Sequence, residues 1–341
     1  MTIKLEMPVW ITVRSLLPTR LLLLLCLLVS GVSVVRAQSD PQLTQYWAVP
    51  TLYNPAETGA TDFLRIRGGA KLQWVGIKNA PQSFLAVADC PFQIAGKRIG
   101  VGANFVSEKL GLFQNLQVNI QASYKFKIFK GQLSIGVEGG YYNSKFKGSD
   151  IYIPEGDEYH QPDDPALPNS DLTGNAFDLS AGLSYTHKYF SVGLSGLHLL
   201  EPTVEFNQEG TETADTHDFE TMLGRMIYFT ASGNIPLKNT LFTLQPSVLV
   251  KTDFRMVVPE VTMRATYNRF LSAGIGYRLN EAVSVMIGAE FKNFFLGYAF
   301  DYPLSKINRA SSGSHEIIAG YSLKLDFSKK NRNAHRSIRL M

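Results

Sequence analysis

Leu116-Gln117-Val118-Asn119-Ile120-Gln121-Ala122-Ser123-Tyr124-Lys125-Phe126 alternates apolar and polar residues at every step. Period-two alternation separates two sets of side chains only in an extended strand, where successive residues point to opposite faces. One face of this strand is therefore apolar and the other wet. Its length reaches the roughly 9 to 11 residues with which a tilted strand crosses a bilayer.

Working outward, such strands are predicted at 63–74, 82–89, 98–107, 114–127, 132–146, 175–187, 189–200, 222–235, 240–252, 260–268, 270–279, 282–291, 293–302 and 314–327. An even count returns the chain to the side on which it began, as bacterial single-chain barrels require. Short turns follow every second strand, at 127–132, 187–189, 267–270 and 291–293. The long connections 146–174, 201–221 and 303–313 all fall at the opposite end. The short turns are assigned to the periplasm and the long connections to the exterior.

Facing follows from the same alternation. Phe177, Leu179, Ala181, Leu183 and Tyr185 are predicted to face lipid, opposite Asp178, Ser180, Gly182, Ser184 and Thr186. Val283, Val285, Ile287, Ala289 and Phe291 likewise oppose Ser284, Met286, Gly288 and Glu290. The interior then collects both signs of charge: Arg65, Arg67, Lys71, Lys125, Glu138, Asp178, Lys251, Arg264, Arg278, Glu290, Asp301, Glu316, Lys324 and Asp326. No ring of one sign stands out, so ion pairs bracing the wall are favoured over a selectivity filter. Fifteen Tyr and twenty-one Phe suit interfacial girdles.

The first residues supply a route to a membrane. Lys4, Arg14 and Arg20 precede the apolar run 21–35, and small residues lead to Ala37. This is the pattern of an export signal, too short for a spanning helix. Residues 1–37 are read as that signal, 38–62 as an irregular periplasmic segment containing Pro41, Pro50 and Pro55, 63–327 as the barrel, and 328–341 as a basic periplasmic tail. Cys26 leaves with the signal. Cys90, left alone, excludes an internal disulfide and is read as packing.

Charge marks candidate partner sites. The connection 146–174 contains Asp157, Glu158, Asp163 and Asp164, and the connection 201–221 adds Glu209, Glu212 and Asp215. Both are solvated acidic loops that could dock a basic or cation-bridged partner. Calcium-loop spacing is missing from them. Lys329, Lys330 and Arg332 in the tail could meet a periplasmic partner or anionic headgroups. An enzyme would need a Ser, a His and an acid meeting at one rim. Ser314, His315 and Glu316 are adjacent, so they point to alternate faces, and His198 sits at a strand end; both histidines are read as interfacial. No phosphate loop or metal-ligand spacing is found. No cofactor and no nucleic-acid partner is expected.

The mature start, with Gln45-Tyr46 and Tyr53-Asn54-Pro55-Ala56-Glu57-Thr58-Gly59, resembles the opening of the PorP/SprF family of type IX secretion system outer-membrane proteins. Gln245-Pro246-Ser247-Val248-Leu249-Val250-Lys251, Gly276-Tyr277-Arg278, Gly297-Tyr298-Ala299-Phe300-Asp301-Tyr302-Pro303 and Ser314-His315-Glu316-Ile317 follow in that family's order. The resemblance implies a non-enzymatic barrel in the outer membrane that assists secretion or surface attachment of cargo carrying C-terminal sorting domains, in bacteria whose machinery also supports gliding. Other type IX secretion components and outer-membrane lipid are the implied partners. The sequence therefore reads as an all-β transmembrane antiparallel up-and-down barrel of about fourteen strands with acidic extracellular loops. A passive porin or hydrophobic-solute channel is the alternative.

Overall fold

The alternating stretches form fourteen strands, each antiparallel to its chain neighbour, in a computed structural model that describes residues 40–94, 97–151, 170–208, 220–238 and 240–325. They are β1 (Phe63–Leu72), β2 (Gln82–Ile94), β3 (Lys97–Leu110), β4 (Phe113–Ile128), β5 (Gly131–Lys147), β6 (Asp171–Thr186) and β7 (Phe190–Leu197). The second half is β8 (Met226–Gly233), β9 (Phe242–Thr252), β10 (Val257–Tyr267), β11 (Leu271–Arg278), β12 (Ala282–Phe291), β13 (Phe294–Pro303) and β14 (Ser314–Lys324). β1 pairs with β14 from Phe63↔Lys324 to Leu72↔His315, so the sheet closes and leaves no edge. Closure is what lets strands cross lipid with every backbone group paired.

The predicted facing is observed. Ile120 is 71% exposed on the outer wall, while Gln121, Ser123 and Lys125 are buried inside. Phe177, Leu179, Leu183, Val285 and Ile287 point outward, and Ser180, Ser184, Ser284 and Met286 are buried. The short turns expected at one rim, 129–130, 187–189, 268–270 and 292–293, collect there, and the long connections lie at the other rim together with two further short turns, 111–112 and 279–281.

Several boundaries shift, with β2 running on to Ile94 and β6 beginning at Asp171. His198 takes a φ of +54°, which ends β7 at Leu197 rather than at residue 200. Glu220–Met222 leaves the path of β8 to pair with Thr203–Glu205. That ribbon brings Val204, Phe206 and Leu223 onto Tyr142, Leu172 and Ala176, an apolar cluster inside the long-connection rim.

The larger core corrects the placement of residues 38–62 in the periplasm. Residues 40–61 lie inside the barrel, in three single 3₁₀ turns, Tyr46–Ala48, Pro50–Leu52 and Pro55–Glu57. Leu43, Tyr46, Val49 and Tyr53 pack against inward side chains of the wall, among them Leu85, Val87, Val106, Leu249, Phe295 and Ile318. β2 shows why alternation is weak there. Its outward Phe84 meets lipid while its inward Leu85 and Val87 meet this segment, so both faces are apolar. Each buried Leu or Tyr contributes on the order of 1.5–3 kcal/mol. The segments expected to be an export signal, 1–37, and a basic periplasmic tail, 328–341, lie outside the described residues.

Candidate functional site

The amino-terminal segment offers few side-chain charges, so its backbone must be satisfied by the wall. Glu316 on β14 does this directly, accepting the Thr44 N–H at 2.7 Å and the Gln45 N–H at 2.8 Å. Thr44 Oγ1 donates to Asp301 on β13 at 2.6 Å. Lys71 Nζ donates to the Gln42 carbonyl and to Asp301, both at 2.8 Å, and stands 3.6 Å from Glu316. Arg278 closes this group, 2.9 Å from Glu260 and 3.1 Å from Glu281. Six charged residues, four acids and two cations, thus interlock around residues 42–45.

A second clamp holds the start of the segment. Asp40 contacts His198 Nε2 at 2.7 Å and accepts the Tyr228 hydroxyl at 2.8 Å. The other ring nitrogen of His198 lies 2.7 Å from Asp178. Burial by itself would lower the His198 pKa, but Asp40 and Asp178 outweigh it and raise the pKa to about 10. Burial would raise the Asp40 carboxyl, yet His198 and Lys251 hold it well below the usual carboxylate range. The imidazolium is therefore charged at neutral pH. This corrects the reading of His198 as interfacial: its side chain is buried inside the barrel, and only His315 faces outward, against the Tyr298 hydroxyl at 2.7 Å.

The Tyr53–Gly59 motif is explained by the third contact. Asn54 caps its 3₁₀ turn by accepting the Ala56 N–H at 2.9 Å and donates to the Leu183 carbonyl at 2.9 Å. The Gly59 N–H donates to Asp89 at 2.8 Å, and Asp89 is held by Arg65. Ser123 donates to the Thr58 carbonyl at 2.7 Å. The approach is so close that a Cβ on Gly100 would lie 2.0 Å from that carbonyl, and one on Gly136 would lie 2.3 Å from Ala56 N. Several wall glycines thus make room for the segment. At the short-turn end the Arg264 guanidinium lies over the Trp47 ring at 3.4 Å. A cavity of about 320 Å³ remains there, lined by Tyr46, Trp47, Glu57, Gln245 and Arg264 among others. Beside Asp40 and His198 only about 30 Å³ is left, room for a single water.

Of the interior charges read from sequence, Arg65, Lys71, Asp178, Arg278, Asp301 and Glu316 are brought together in ion pairs, with the amino-terminal segment as a partner that sequence reasoning missed; Glu290 and Lys324 are exposed instead, and Asp326 lies outside the described residues. Asp40, Asp89 and Glu260 were also missed. For two of them the signal was local, a carboxylate at an inward position beside a cation of the next strand, Asp89 beside Arg65 and Glu260 beside Arg278; Asp40 belongs to no strand and carried no such signal. None of the candidate partner residues, Asp157, Glu158, Asp163, Asp164, Glu209, Glu212, Asp215, Lys329, Lys330 and Arg332, lies among the described residues. Ser314 and Glu316 point inward while His315 points out, so these three do not converge. Cys90 is free and half-buried. Among the described residues no group of His, Cys, Asp and Glu has the geometry of a metal site.

A family model described as type IX secretion system membrane protein PorP/SprF matches residues 35–321. The chain belongs to the PorP/SprF family. The matched span takes in both the luminal segment and nearly all of the wall. This PorP/SprF barrel is an outer-membrane protein. No curated protein matches it. Among solved structures it is similar to the outer membrane protein Omp33 of Acinetobacter baumannii, at 5% identity over 77% of this chain and 99% of that one, with a TM-score of 0.41. A FadL homologue of Pseudomonas aeruginosa is 8% identical over 80% of this chain and 93% of its own, with a TM-score of 0.46.

Proposed function

We propose that this PorP/SprF barrel is a non-enzymatic component of type IX secretion that assists the secretion or surface attachment of cargo proteins with C-terminal sorting domains, and that it works at its rims rather than through its lumen. The occupied lumen is the observation that supports this reading. Residues 40–61 fill the space a polypeptide would need, and they are held by buried ion pairs whose disruption leaves uncompensated charge. A passive channel has no use for such a filling. Cargo recognition is assigned to the acidic connections at the long-connection rim, through Asp157, Glu158, Asp163, Asp164, Glu209, Glu212 and Asp215. Lys329, Lys330 and Arg332 are assigned to contact with other secretion components. Acidic surfaces speed encounter with a basic partner through long-range attraction, and such contacts weaken with salt.

The test replaces the seven acids by Asn or Gln in cells. Barrel assembly is checked by heat-modifiable migration, and cargo is followed on the cell surface and in the medium. Cargo retention is expected to fall while barrel abundance is unchanged. Normal retention with an assembled barrel would remove the assignment of these residues.

A further inference from the structure

The six connections at the short-turn rim share a pattern that neither the fold nor the luminal segment requires. Each carries an exposed cation: Lys97 at the start of β3, Lys130 between β4 and β5, Lys188 between β6 and β7, Lys238 between β8 and β9, Arg269 between β10 and β11, and Lys292 between β12 and β13. The turns themselves, 95–96, 129–130, 187–189, 234–241, 268–270 and 292–293, contain no Asp or Glu. Among the described residues none of the six cations makes an ion pair. Among the described residues the nearby acids are few: Asp62 is paired with Arg98 at 2.7 Å, Glu57 faces the lumen against Ser184, and Glu290 stands exposed near the end of β12. The opposite rim mixes signs instead, as Glu201 with Arg225 and Asp253 with Arg255 show.

Exposed apolar rings accompany the cations. Lys188 lies over Tyr189 at 5.1 Å, Lys292 over Phe291 at 5.4 Å and Lys97 over Tyr124 at 5.9 Å. Phe129, beside Lys130, is 85% exposed. Aromatic rings mark the level of the headgroups, and a long cationic side chain rooted there reaches outward to phosphate. Because one short turn follows every second strand of a closed wall, the charges run around the circumference rather than along one arc. A protein partner would engage an arc; only a surrounding surface meets all of them.

We propose that the short-turn rim is a binding ring for the phosphate of anionic phospholipid headgroups in the leaflet that surrounds it. The ring sets the depth of the barrel and draws an anionic lipid shell to this end.

Purified full-length protein reconstituted in vesicles of equal phosphatidylcholine and phosphatidylglycerol, then gently extracted, tests this by native mass spectrometry of the retained lipid. Phosphatidylglycerol is expected to be enriched about threefold over the bulk ratio, since each cation near an anionic surface adds favourable energy. Replacing the six cations by Gln should return the ratio to bulk while the strand content by circular dichroism is unchanged. In about 0.5 M NaCl, which shortens electrostatic reach to a few Å, the wild-type enrichment should also fall. Retained lipid at the bulk ratio in the wild-type protein overturns the proposal and leaves the ring as a surface for an acidic protein. Enrichment that survives the six replacements overturns it as well; should that variant fail to assemble, enrichment that persists in the salt decides against it equally.

Discussion

Between Asp40 and Asp178, His198 carries a charge that neither carboxylate can lose without cost. Removing one member of a buried ion pair strands the others, at about 3–5 kcal/mol. His198→Gln is expected to lower stability by that order in urea unfolding of the detergent-solubilised barrel, with the loss seen first as hydrogen exchange in residues 40–53. The pH dependence follows from the two shifts. His198 is raised in the folded protein, so its contribution is complete below its ordinary value of 6.5 and is lost as pH rises through about 10. Asp40 is held low, so its contribution is present above the ordinary carboxylate range and is lost only in strong acid. Protection of the segment should therefore be greatest between roughly pH 4 and 6.5 and decline in alkali. An alkaline decline of the same size in His198→Gln would contradict the clamp. No property of the sequence around His198 separates this buried imidazolium from an interfacial histidine, because its partner Asp40 is remote in the chain.

At the scale of elements, the wall glycines distinguish a filled lumen from an empty one. Gly100 on β3 meets the Thr58 carbonyl, whereas a Cβ on Gly139 of β5 has Leu179 Cδ2 as its nearest contact at 3.9 Å. Gly100→Ala is expected to cost about 1–3 kcal/mol by overpacking and to expose residues 54–59 to protease. Gly139→Ala should stay within about 0.5 kcal/mol of wild type. Equal protease resistance in both variants would mean that the segment does not depend on this fit. Strands with one lipid face and one polar face, such as β4, β6 and β12, were legible because their two surroundings differ. β2 was less so, since lipid on one side and packed protein on the other both select apolar residues.

For the whole molecule, the filled lumen predicts electrical silence. In planar bilayers the full-length barrel should show no steady current, and a variant lacking residues 40–61 should show stepwise conductance, because the inward charges then face water. A large steady current through the full-length protein would restore the porin reading. The sequence by itself determined the strands, their number, their facing, the common end of the long connections, and the family, since each is written in local periodicity or in ordered motifs. It showed charges of both signs inside the wall without showing their partners. Only the tertiary structure decided where residues 40–61 lie. Their backbone groups could be satisfied by water or by Glu316, Lys71 and Ser123, and that choice depends on inward side chains that approach one another only when β1 closes on β14.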